Sequence, residues 1–238
     1  MNTKAKGKKM KRIIFFITVF FLIILPGTSS VFAIPQLQLY IENSSYNNET
    51  WQITSPEFNL WVVGDVEKKG IINDVNLVTA FSSSETGSIE FTPIQTMLYP
   101  DPSLPGNPLI SRTGSDSPPV MGGDEKLPEH GVYVPGVSWT TYELDDFDLM
   151  DSPVKNYCAP DEPSSTGQIN AYKVKVIGYT WVHFDAFGTI IGKREKKDYI
   201  FAPFSHDAGK YPPVPEPSTI FLFGSGLAGL ILFYKKRL

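Results

Sequence analysis

The stretch GQINAYKVKVIGYTWVHFDAFG, Gly167 to Gly188, limits the fold more than any other part of the chain. Tyr172, Val174 and Val176 alternate with Lys173 and Lys175, a period of two that turns one face of a strand to a core and the other to water. Gly178 then marks a bend or bulge, and Trp181 to Phe187 continues as a further strand. A sheet with one apolar face needs a second layer against it. The same signature recurs at LQLYI (Leu37 to Ile41), Phe58 to Val63, Val75 to Phe81, Ser88 to Thr92 and Val137 to Glu143, with turn residues between the runs. From Tyr99 to Gly136 prolines and glycines recur every few residues, which predicts one long loop. No helical stripe stands out between the two ends. The nearest segment, Lys193 to Asp198, reads as a short charged turn. These features predict an all-β, β-sandwich-like exported domain over residues 34–210.

The two ends follow different rules. Lys4, Lys6, Lys8, Lys9, Lys11 and Arg12 precede an apolar run from Ile13 to Leu25, which is about 20 Å long as a helix, too short for a hydrocarbon core of roughly 30 Å. Pro26 and Gly27 break it, and Val31 and Ala33 are small residues at the two positions a signal peptidase reads. Residues 1–33 are therefore expected to be a signal peptide, a helix handed to the Sec translocon and cleaved after Ala33. At the other end, residues 211–238 carry Val214-Pro215-Glu216-Pro217-Ser218-Thr219, then 15 largely apolar residues from Ile220 to Tyr234, then Lys235, Lys236 and Arg237. As a helix that run spans about 22 Å and crosses a bilayer only with local thinning and snorkelling of its cations. The basic tip stays cytoplasmic by the positive-inside rule, which puts the acidic domain outside. Pro215 and Pro217 hold the segment around Glu216 extended, a form that an enzyme's cleft can read.

In this order of parts the tail resembles the PEP-CTERM sorting signal. The resemblance implies a short C-terminal transmembrane helix, recognition and cutting near Pro-Glu-Pro by a membrane enzyme of the exosortase class, and a Gram-negative host that makes exopolysaccharide and biofilm. The exported part also resembles the choice-of-anchor N proteins, at Leu37 to Glu42, Gly167 to Tyr172, Val182 to Ala186 and Phe201 to Ala208. That family supplies no activity to carry over.

With both ends set aside, 12 basic residues remain between Ile34 and Pro213 against 24 acidic ones, a net charge near −12. Such a surface repels phosphate backbones, so no nucleic-acid partner is expected. Cys158 is the only cysteine, which rules out an intramolecular disulfide, and it reads as a half-exposed small residue.

Several constellations invite chemistry. His183 and Asp185 share a strand face, and His206 and Asp207 lie near the end of the domain. Together with Asp145, Asp146, Asp148 or Asp151 they contain the groups of a metal site or an acid/base pair. His130 is the remaining histidine. A two-residue spacing on a strand recurs by chance, so both pairs are expected to make internal hydrogen bonds that order loops, and no catalytic residue or metal ligand is assigned. ELDDFDLMD, Glu143 to Asp151, gathers hard oxygen donors but lacks the glycine and terminal glutamate of an EF-hand loop. It is expected to be a solvated acidic loop, with structural calcium the one cofactor left open. Trp51, Trp61, Trp139, Trp181 and the tyrosines together could form a sugar-stacking platform. Of these, Trp61 and Trp181 are expected in the core, and Trp139 and Tyr142, beside the long loop, are the better candidates for an exposed surface.

The expected function is that of a non-enzymatic structural or binding component of the cell surface or extracellular matrix, membrane-bound until its tail is processed and linked to exopolysaccharide. The alternative is a secreted carbohydrate-active hydrolase with a carboxylate pair such as Asp146 and Asp185.

Overall fold

A computed structural model describes residues 34, 36–47, 50–96, 103–159, 164–191, 196–204 and 207–212. The expected signal peptide, with Val31 and Ala33, and the tail from residue 213, with Val214 to Thr219 and the expected transmembrane helix, lie outside the described residues, as does His206.

The chain lays down strands β1 (Leu37–Ile41), β2 (Ser45–Asn47), β3 (Thr50–Ile53) and β4 (Glu57–Gly64), one helical turn α1 (Val66–Lys69), then β5 (Asn73–Ser82) and β6 (Ser88–Ile94). It continues with β7 (Leu109–Ser115), β8 (Val120–Gly122), β9 (Glu125–Lys126), β10 (Val137–Glu143) and β11 (Ser152–Val154). The last four strands are β12 (Ser165–Ile177), β13 (Val182–Ile191), β14 (Lys197–Phe201) and β15 (Asp207–Lys210). The alternating sequence at 167–188 is thus the β12–β13 hairpin. Its turn passes through Gly178 at φ 79°, a left-handed conformation that glycine adopts without a Cβ clash.

Two sheets result. Sheet I has the order β1-β4-β12-β11, with β6 also paired to β12. Sheet II runs β2-β3-β15-β13-β5-β10-β7, with β14 also on β13. They pack face to face. Leu37, Leu39 and Ile41 of β1, Leu60 and Val62 of β4, and Tyr172, Val174 and Val176 of β12 share one buried cluster with Val75 and Leu77 of β5 and with Phe184 and Ala186 of β13. The ring of Phe58 meets that of Phe184 edge to face across the layers at 5.9 Å.

Both sheets also carry an apolar outer face, which explains why β4 reads as the continuous run LWVV rather than an alternation. Over sheet I, Val154 and Tyr157 cover Trp61, Val63, Ile169 and Ala171. Over sheet II, Met121, Leu127 and Tyr133 cover Val78, Ala80, Val137, Trp139 and Phe187. The expectation of one long loop from Tyr99 to Gly136 is therefore corrected. β7 is an edge strand on β10, and the β8–β9 hairpin opens a covering layer that ends where Gly136 donates its amide to Asp116 Oδ1 at 2.8 Å. β7 escapes the sequence pattern because nearly all of its residues are exposed, leaving no alternation to detect. The charged turn expected at 193–198 is corrected likewise at its end, where Lys197 and Asp198 open β14.

Candidate functional site

The outer face of sheet II carries the most concentrated polar chemistry of the described residues. On β13, Phe184 and Ala186 point into the core, so His183 and Asp185 project outward. β15 pairs with β13 through His183↔Gly209 and Phe184↔Ala208. Asp207, first residue of β15, follows next along that ladder and brings its carboxylate to the same place as Asp185. The covering segment supplies His130 from above. A ligand-type atom from each of His130, His183, Asp185 and Asp207 lies within 4.8 Å of the others. The site is nearly dry, with side-chain exposures of 9% for His130, 3% for His183, 2% for Asp185 and 1% for Asp207.

The two Nε2 atoms are 3.1 Å apart. His130 Nε2 lies 3.5 Å from Asp185 Oδ1 and 3.6 Å from Asp207 Oδ2. His183 Nε2 lies 3.3 Å from Asp185 Oδ2 and 3.7 Å from Asp207 Oδ2. Around these atoms, Tyr133 donates its hydroxyl to Asp185 Oδ2 in a short bond. His130 Nδ1 faces the Pro128 carbonyl at 3.1 Å, and His183 Nδ1 faces the Tyr211 hydroxyl at 3.0 Å. Phe204 stacks on the His130 ring at 4.5 Å.

Two carboxyls forced together in a dry pocket separate in acidity. Burial pushes Asp185 up but is outweighed by the charge and hydrogen bond of His183, by His130 and by Tyr133, which hold it at about 2. Burial raises Asp207 well above the carboxylate range, and the facing Asp185 charge adds to it. Burial and then the same two acids push Tyr211 up to about 12.

The face shared by His183 and Asp185 is the one the sequence predicts, whereas Asp207 joins them only through the β13–β15 register and His130 through the covering segment. No alternation or spacing marks His130 in PEHGVY, and it reaches the site only because the covering segment folds back. The acidic run does not join them. Asp146 Oδ1 accepts the amide of Asp74 at 2.8 Å, Asp151 Oδ2 accepts that of Ser103 at 3.0 Å, and the amides of Asp148 and Leu149 go to Gln168 Oε1. The suggested carboxylate pair Asp146 and Asp185 is corrected for the same reason. Asp185 lies opposite Val78 on β5, whereas Asp146 is held four residues along at Asp74, about 13 Å away at the strand rise.

The outer face of sheet I is aromatic. Tyr40 stacks on Tyr157 at 4.4 Å and meets Trp51 and Trp61 edge-on at 4.9 and 5.3 Å. Tyr40, Glu42, Asn43, Trp61, Lys155 and Tyr157 line a cleft of about 270 Å³. Gln38, wholly buried on β1, fastens the covering segment by donating to the Lys155 carbonyl at 2.7 Å and accepting the Tyr157 amide at 3.1 Å. Trp61 Nε1 and the Tyr157 hydroxyl are buried with no hydrogen-bond partner, and burial, then Tyr40 and Glu42, raise the Tyr157 hydroxyl. Trp139 and Tyr142, expected at an exposed surface, are buried at 9% and 8% exposure. Trp139 lies under the covering layer, its Nε1 donating to the Ser117 carbonyl, while Tyr142 faces the inner core against Phe91. Trp61 is in the core as expected and Trp181 is half-buried. Cys158 is half-buried, its thiol raised chiefly by burial.

Among known proteins, a family model described as the PEP-CTERM protein-sorting motif matches residues 213–237. The chain thus carries the tail of an exosortase-sorted exported protein, made as a membrane-anchored precursor. None of the curated proteins compared matches the chain. A solved structure of AvmM, which catalyzes macrocyclization in alchivemycin A biosynthesis, is 9% identical over 76% of this chain and 91% of its own, at a TM-score of 0.31. A likeness that slight carries no argument. The choice-of-anchor N resemblance finds no support in these matches.

Proposed function

We propose that the chain is a surface protein whose delivered part is a non-enzymatic β-sandwich of the cell surface, outer envelope or extracellular matrix, in contact with exopolysaccharide. The observation that carries this reading is the sorting motif at 213–237, which follows directly on the acidic, strand-built domain. The signal peptide takes the chain through the Sec translocon and is removed by signal peptidase after Ala33. The short apolar run then stops in the membrane with Lys235, Lys236 and Arg237 inside. An exosortase reads Val214 to Thr219 and releases the domain from its tail.

Contact with a polysaccharide is supported by the cleft on sheet I. Tyr40, Trp61 and Tyr157 give it aromatic faces of the kind that pack on sugar rings, and Glu42, Asn43 and Lys155 offer both acceptors and donors for hydroxyl groups. The cleft lining contains one carboxylate, Glu42, where most glycosidases place two across the scissile bond.

Replacing Pro215, Glu216 and Pro217 together with alanine should leave the full-length precursor in the membrane fraction. Normal processing of that variant would refute the sorting assignment. The mature protein should be retarded in native gels containing the producing cell's own exopolysaccharide, and Tyr40→Ala should abolish most of the retardation. Equal mobility with and without polysaccharide would remove sugar contact from the reading while leaving the sorting intact.

A further inference from the structure

We propose that His130, His183, Asp185 and Asp207 bind one divalent transition-metal ion, zinc by preference, in a closed site that fastens the 116–136 segment to the outer face of sheet II. Nothing in the sorting reading requires this site, so the two stand or fall separately. The first argument is geometric. Zinc bound tetrahedrally at about 2.0–2.2 Å from N and O ligands needs ligand atoms separated by about 3.3–3.6 Å. The separations from the two Nε2 atoms run from 3.1 to 3.7 Å, close to that range, with Asp185 reached through Oδ1 from His130 and Oδ2 from His183, and one atom from each of the four residues lies within 4.8 Å of the others.

The second argument is which atoms are free to bind. The Pro128 carbonyl can only accept, so His130 Nδ1 carries the proton and a neutral His130 presents a lone pair at Nε2. His183 Nδ1 faces the Tyr211 hydroxyl, which can hold that ring in the same tautomer. Outer partners of this kind, a carbonyl and a hydroxyl on the far nitrogen, are what orient histidines toward a metal. Two lone pairs 3.1 Å apart, each also facing carboxylates, repel unless a proton or a cation lies among them.

Charge is the third. Like charges directly opposite one another on neighbouring strands are destabilising. Asp185 and Asp207 face each other that way almost without solvent, and among the described residues neither carboxylate pairs with a lysine or arginine. Asp207 Oδ1 is buried with no hydrogen-bond partner, so one oxygen of this carboxyl is left without a donor. A dication balances both carboxylates. Two imidazoles and two carboxylates suit a borderline ion such as zinc better than calcium, which takes six to eight oxygens. Phe204 over His130 and Tyr133 against Asp185 close the shell, as in a structural site. With a single cysteine the exported domain has no internal disulfide, and a metal that joins β13, β15 and the covering segment supplies the cross-link instead.

The test uses the full chain purified in mild detergent without chelator. Metal analysis should find one zinc per chain. Stripping it with dipicolinate should lower the unfolding midpoint, and added zinc, but not calcium, should restore it. Cobalt loaded in place of zinc should give the strong visible absorption of a tetrahedral centre. His130→Ala and Asp207→Asn should each retain less than a tenth of the zinc, and Tyr211→Phe, which changes a positioning residue, should weaken zinc binding about 10- to 100-fold while one ion still binds at saturation. Should the ligand variants fail to fold, the cobalt spectrum and chelator response of the unaltered chain still decide. A chain that takes up neither zinc nor cobalt, and unfolds at one temperature with chelator or with added zinc, overturns the proposal. So does wild-type zinc affinity in a folded ligand variant, or recovery with calcium in place of zinc.

Discussion

Sheet I and sheet II each bury an outer face beneath a covering segment, with opposite chemistry. On sheet I, Gln38 satisfies the backbone of residues 155–157 and the rest of the contact is aromatic, with a cleft left beside Tyr40 and two polar atoms, Trp61 Nε1 and the Tyr157 hydroxyl, buried without partners. On sheet II, the cover is held by ionisable groups, His130 and Tyr133 above and His183, Asp185 and Asp207 below, closely packed and nearly dry. A buried polar network is stabilising only when its members are satisfied, and an unpartnered polar atom is a cost that a ligand can relieve. Under the cover of sheet II the exception is Asp207 Oδ1, in the proposed metal site, so the proposals above give the cover of sheet II a part in stability and that of sheet I a part in recognition.

Deleting a single hydroxyl from each cover separates the two roles. Tyr133→Phe removes the donor to the buried Asp185 carboxylate and should cost about 1–3 kcal/mol, read from urea unfolding of the full chain. Tyr157→Phe removes a hydroxyl that has no partner and should change stability by no more than about 0.5 kcal/mol, or increase it. Equal losses from the two variants would erase the distinction. The smallest expected effect lies at the hinge of the sheet II cover. There Asp116, at φ 60°, accepts the Gly136 amide and the Ser115 hydroxyl, and in that order these bonds hold its carboxyl below the usual range. A folded-state pKa lowered in this way gives stability that is present above the unfolded value and lost as pH falls through the folded one. Wild type should therefore exceed Asp116→Asn slightly at neutral pH, with the gap closing in acid. A gap that widened on acidification would contradict that role for Asp116.

How far the sequence reveals all this depends on whether the signal is local. β1 and β10 appear in the sequence with the bounds they have in the fold, because Leu37-Leu39-Ile41 and Val137-Trp139 alternate against polar neighbours. The β12–β13 hairpin is legible from the Lys173/Lys175 alternation and Gly178. What stayed hidden is the second layer on each outer face. Met121 and Leu127 are isolated apolar residues in a proline- and glycine-rich stretch, and nothing nearby says that they bury Trp139. The same gap misplaced Trp139 and Tyr142 at the surface. At the candidate site, the shared face of His183 and Asp185 follows from strand periodicity. The approach of Asp207 needs the β13–β15 register, and that of His130 needs the path of the cover, neither of which has a local signature. The acidic run drew attention by composition, yet its carboxylates at Asp146 and Asp151 are turned to backbone amides.

Both faces matter to the cell only if the domain is delivered and freed from the membrane, and that rests on residues 213–237 acting as a processed address. The direct test is the mass of the C-terminal peptide of the protein recovered from the native cell surface. The account predicts an end close to Pro215-Glu216-Pro217, with Ile220 to Leu238 missing. Surface protein that still carries Lys235, Lys236, Arg237 and Leu238 would contradict it.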